Sequence, residues 1–71
     1  MNMVHQELTD KYRGRRYQLE DSVLTVSHVI QVDGEGGPYY EVIYNRYPPQ
    51  PNSTGTGSCW LDVLLGLVEI R

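Results

Sequence analysis

Few side chains in this 71-residue chain can do chemistry, and their spacing is the first constraint on function. Cys59 is the single thiol and stands beside the single tryptophan, Trp60. A nucleophilic cysteine needs a histidine base and an oxyanion site. Of the histidines, His5 and His28, only His28 falls within a β-rich run. A free cysteine usually packs as a small hydrophobe, and a histidine that interrupts an apolar face is more often a satisfied side chain than a base. Both are read as structural, so the expected catalytic set is empty. Cys59, His5 and His28 are too few for a zinc tetrahedron. Asp33-Gly34-Glu35-Gly36-Gly37 lacks the ligand spacing of a calcium loop, and Gly55-Thr56-Gly57 lacks the strand and helix that frame a phosphate loop. No pair of carboxylates is spaced for acid–base work. The chain reads as non-enzymatic, with no metal and no cofactor.

Two groups of residues could recognise a partner instead. One is aromatic: Tyr39, Tyr40, Tyr44, Tyr47 and Trp60, next to Pro48-Pro49-Gln50-Pro51. Such rings are enriched at protein interfaces because each offers a large apolar body with a polar tip. The competing reading uses them as core, since the chain has six tyrosines and no phenylalanine. That reading takes Trp60 and at least two tyrosines inside. The other group is basic, Lys11-Tyr12-Arg13-Gly14-Arg15-Arg16-Tyr17. Arg13, Arg15 and Arg16 could bind phosphates while Tyr12 or Tyr17 stacks on bases. Its competing reading is a solvated strand end balanced by Glu20-Asp21. The net charge of −3 argues against a general nucleic-acid binder but allows a local basic patch.

The elements that must position these residues centre on two β-rich runs, Ser22–Val32 and Tyr39–Tyr47. The acidic, glycine-rich turn Asp33 to Pro38 joins them. Neither face of the first run is cleanly apolar. A bulge near Ser27-His28 repairs this, pointing Leu24 and Val26 inward before it and Val29 inward after it. In the second run Val42 and Tyr44 are taken as inward, with Ile43 covered by a neighbour; a one-residue slip would exchange the faces. Residues 1–13 read as an extension with a short helix, from the spacing of Val4, Leu8 and Tyr12. A short strand is expected over Arg16–Glu20. Pro48 to Gly57 reads as a loop containing the sequon Asn52-Ser53-Thr54, which is taken as coincidental. Ser58–Leu61 then returns to the sheet, Asp62 caps a helical turn over Val63–Leu65 ended by Gly66, and Leu67–Arg71 closes. Leu61, Leu64, Leu65 and Val68 also fit one continuous short helix.

So short a chain makes one domain with a small core, and self-association is a ready way to cover more apolar surface. The lone thiol and the lack of a signal-peptide pattern or membrane-length apolar run fit a cytoplasmic protein. Gly14-x-x-Tyr17, Val26-x-x-Val29, Glu41-Val42-Ile43-Tyr44 and Trp60-Leu61-Asp62-x-Leu64-Leu65 together resemble a family of small bacterial and phage SH3-like barrel domains of unknown function. The resemblance runs from about Gly14 to Ile70; the proline-rich loop and the N-terminal extension depart from it. It implies a mostly β, SH3-like barrel over residues 14–71 and brings no catalytic residues. The expected fold is therefore a barrel of about five strands with a short helical turn near the C-terminus. The expected function is a non-enzymatic module that binds another protein or itself, in the setting of an inhibitor or accessory protein of a mobile element. The alternatives are nucleic-acid binding through the basic segment and a small-ligand pocket at a dimer seam.

Overall fold

The structure, a computed structural model, describes residues 2–49, 51 and 55–70. In chain order its elements are β1 (Asn2–Val4), α1 (Gln6–Tyr12), β2 (Arg16–Leu19), β3 (Ser22–Val32), β4 (Tyr39–Tyr47), β5 (Thr56–Trp60), α2 (Leu61–Leu65) and β6 (Val68–Ile70). The two β-rich runs become β3 and β4 with the boundaries their composition predicts. They pair antiparallel from Val23 opposite Tyr47 to Val32 opposite Tyr39. The sheet runs β5-β4-β3-β2-β6. The chain is mostly β, with a short helix near its C-terminus. Among the described residues no ladder joins β5 to β6, and the two edges are linked through α2.

β3 changes register once. Val26 lies opposite Tyr44 but His28 lies opposite Ile43, so Ser27 is an extra residue with no partner on β4. Strict alternation would turn His28 inward and Val29 outward; the bulge reverses this. Leu24, Val26 and Val29 all end up buried, and they pack with Val42, Tyr44, Tyr12, Tyr17 and Leu64 in a single core cluster.

The N-terminal segment differs from expectation. Leu8 and Tyr12 do turn a helical face toward the core, but Val4 belongs to β1 and is exposed. β1 is a strand beyond those predicted, since a three-residue segment is too short to show alternation. It pairs with Ile30–Val32, while β2 pairs with Ser22–Thr25 on the same edge of β3. α1 fills the interval between them. Thr9 is only 2 % exposed, and its Oγ1 accepts from Val29 N at 2.9 Å and donates to Val29 O at 3.3 Å. His5 N also donates to Val29 O, Gly14 N donates to Val26 O, and Val26 N donates to Arg15 O. The broken edge of the central strand is thus paired by a helix and its flanks, as buried backbone requires. His5 also caps α1, its Nδ1 accepting from Leu8 N at 3.1 Å.

The C-terminal segment shifts slightly. β5 starts two residues before the predicted Ser58, and α2 starts at Leu61 with Asp62 inside its first turn instead of capping it. α2 stops at Leu65, so the segment is not one continuous helix, and Val68 on β6 is exposed.

Two outcomes follow from this packing. Thr9→Val keeps the shape but strands the Val29 amide, and should cost about 1–3 kcal/mol in urea denaturation, with Thr9→Ser recovering most of it. An unchanged midpoint would contradict the bridging role. Burial pushes the Tyr17 phenol up, Glu69 adds to the shift, and Arg15 opposes it. The folded state therefore holds this proton more tightly than the unfolded chain does. Its contribution is intact below about pH 10 and is lost as pH rises further. Urea midpoints measured from about pH 9 to about pH 11 should fall less steeply in Tyr17→Phe than in the native protein. Parallel curves would contradict this.

Candidate partner-binding groove

One end of the sheet gathers side chains from four elements. β4 begins at Tyr39, opposite Val32 of β3, and β5 ends at Trp60, opposite Glu41 of β4. α2 departs from β5 without a linker. Tyr39, Tyr40, Trp60 and Val32 meet Leu61, Asp62 and Leu65 of α2 and Gly34 and Pro38 of the turn. Together they line a groove of about 710 Å³ with mostly apolar walls.

The exposure of Trp60 follows from the packing of Tyr44. Tyr44 is buried and lies opposite Gly57. A Cβ at position 57 would come within 2.8 Å of the Tyr44 ring, so only glycine lets the phenol lie across β5. Gly57 and Cys59 thus take the inward positions of β5, and alternation turns Trp60 outward. Trp60 is 45 % exposed and Tyr39 44 % exposed, their ring centroids 5.9 Å apart and tilted by 56°. This corrects the reading that places Trp60 in the core; the buried tyrosines are Tyr12, Tyr17 and Tyr44.

Tyr39 is held as a wall. Its Oη donates to Glu35 O at 2.6 Å, and the turn glycines Gly34 and Gly37 pass close to its ring. A Cβ at Gly37 would stand 2.9 Å from the ring. Tyr40 is braced from the other side by the His5 ring, centroids 5.4 Å apart at 88°.

The structure divides the predicted aromatic set. Tyr39, Tyr40 and Trp60 share the groove. Tyr44 is in the core, and Tyr47 is 78 % exposed near the opposite end of β4, across from Val23. The predicted basic set changes more. Tyr12 and Tyr17 are buried core residues, a correction to the reading in which their rings stack on bases. Lys11 and Arg15 lie over the Tyr12 ring, Arg15 also pairs with Glu69 at 3.5 Å, and Arg13 Nε donates to Ser27 O. Arg16 is exposed on β2. Gln50 and the sequon residues 52–54 lie outside the described residues.

Cys59 is half-buried. Burial pushes its thiol up, and Asp62 and Glu41 push it further, which keeps it protonated near neutral pH and fits a packing role. β4 separates it from His28, whose Nδ1 lies 3.0 Å from Ser27 Oγ at the bulge. Among the described residues no group of three or more His, Cys, Asp or Glu side chains could hold a metal ion, and no helix is long and apolar enough to cross a membrane.

Sequence reasoning missed Val32, Pro38, Leu61 and Leu65 as groove residues. The available signal was an excess of leucine: α2 has room to bury only Leu64, which leaves Leu61 and Leu65 to line the groove.

Compared with protein-family models, curated proteins and solved structures, the chain finds no match. The groove itself is therefore the basis for any functional reading.

Gly37→Ala drives a methyl group into the Tyr39 ring, so the ring must move. The expected result is a changed Trp60 emission spectrum and displaced Tyr39 ring resonances, at a cost of about 1–3 kcal/mol. Spectra identical to the native protein would show that the turn does not position Tyr39.

Proposed function

We propose that the protein is a non-enzymatic interaction module whose groove between β4, β5 and α2 receives an apolar segment of another protein. The observation that carries this reading is the pair Tyr39 and Trp60, nearly half exposed above an apolar groove of about 710 Å³. A domain this small has few large apolar side chains to spare, so a grouped and exposed set points to contact with a partner. One wall of the groove is fixed by the Tyr39–Glu35 hydrogen bond, and a preformed site reduces the ordering cost of binding. β5 lies at the sheet edge beside the groove. The resemblance to small bacterial and phage domains supplies the setting, an accessory or inhibitory protein of a mobile element.

The test is selection of a displayed library of random peptides, about 12 residues long, on the native protein, followed by binding to Leu65→Ser and Trp60→Ala variants. Both positions are exposed, so the variants should fold. Selected peptides should lose about tenfold or more in affinity for each variant, as expected when a central anchor is removed. Peptides that bind native and variant proteins equally well would sink the groove as the site.

A further inference from the structure

The groove is apolar inside and acidic around its mouth. Asp62 lies in its wall, and Glu41 is the cross-strand partner of Trp60. Asp33 and Glu35 flank the lining residue Gly34 and are exposed. The described cations are elsewhere. Lys11 and Arg15 are drawn to the Tyr12 ring, Arg13 to the Ser27 carbonyl and Arg46 to Glu20, while Arg16 sits on β2. None of them lines the groove. Among the described residues no lysine or arginine stands in the groove to cancel the negative potential, and low-dielectric walls concentrate such a field. On the inner side of β5, burial is the main reason the Cys59 thiol is pushed up, and Asp62 and Glu41 add to that shift. Trp60 and Tyr39 add ring faces that attract a cation.

Resting on the groove reading above, we infer that its occupant is a basic segment of a partner protein, carrying lysine or arginine beside an aliphatic anchor. The anchor enters between Trp60, Leu61 and Leu65, and the cation lies against the rings and carboxylates at the mouth. A second copy of this chain is a poorer occupant, because among the described lysines and arginines Lys11, Arg13, Arg15 and Arg46 are already engaged on their own surface, which leaves Arg16 as the single cation to offer.

The experiment uses three synthetic peptide pools of about 12 residues that share fixed leucine and methionine positions. The remaining positions are lysine and arginine, serine and glutamine, or aspartate and glutamate. Trp60 is the single tryptophan, so its emission reports groove occupancy directly. The basic pool should saturate at about three- to tenfold lower concentration than the neutral pool, and the acidic pool should bind most weakly. Added salt and the double variant Glu41→Gln, Asp62→Asn should each shrink that advantage. Equal binding of basic and neutral pools, both lost in Leu65→Ser, would overturn the charge inference and leave the groove reading standing. No saturable binding by any pool would remove both. Concentration-dependent dimerisation in sedimentation, abolished by Asp62→Asn, would overturn the inference in favour of a second copy.

Discussion

Ser27 stands on β3 without a partner on β4, and the direction of every core side chain beyond it depends on that extra residue. The bulge lets Val26 and Val29 both point inward, where an unbroken strand would present Val26 and then His28. It falls where β3 is left between β1 and β2, so its backbone needs partners from another source. Thr9, His5, Gly14 and Arg15 supply them from α1 and its flanks. An N-terminal segment that reads as an extension is therefore part of the central strand's hydrogen bonding, and as a consequence Tyr12 enters the core and Leu8 packs against it.

The groove is a second consequence of the same packing. With Val42 and Tyr44 inward, β5 can place only glycine beneath the Tyr44 ring, at Gly57, while Cys59 takes the inward position opposite Val42. The pleat then leaves Trp60 on the outer face, next to Tyr39 at the start of β4. α2 is too short to bury more than Leu64 fully, so Leu61 is only half-buried and Leu65 remains exposed beside the rings. The core and the groove draw on different aromatic residues: Tyr12, Tyr17 and Tyr44 are buried, Tyr39 and Trp60 are exposed at the groove, and Tyr40 lines the groove while packing against the core.

Much of the fold was legible because β-branched and aromatic residues mark β3 and β4 without ambiguity, and because the broken alternation at Ser27-His28 has one economical repair. β1 was not legible, since three residues carry no period and its pairing depends on β3. The core reading of Trp60 fails because size and apolarity alone favour burial; its direction is set by the Tyr44–Gly57 approach, which lies in tertiary packing. The base-stacking reading of Tyr12 and Tyr17 fails for the converse reason, although the helical spacing of Leu8 and Tyr12 does point Tyr12 toward the core. Neighbouring arginines suggested a solvated surface, yet the rings point into the core while the guanidinium groups reach over them or outward. Of the predicted aromatic site, Tyr39, Tyr40 and Trp60 come together; the apolar floor from α2 became visible only once the helix length was known.

The most direct test of the account is quenching of Trp60 fluorescence in the native protein by acrylamide, caesium and iodide, each scaled to its effect on a free tryptophan amide. The account predicts ready quenching by acrylamide and, relative to the free indole, stronger quenching by caesium than by iodide. That would mean an exposed ring in a negative field. Resistance to all three quenchers would mean that Trp60 is covered, and iodide matching or exceeding caesium would mean that the field is absent; either result contradicts an open, acidic-mouthed groove.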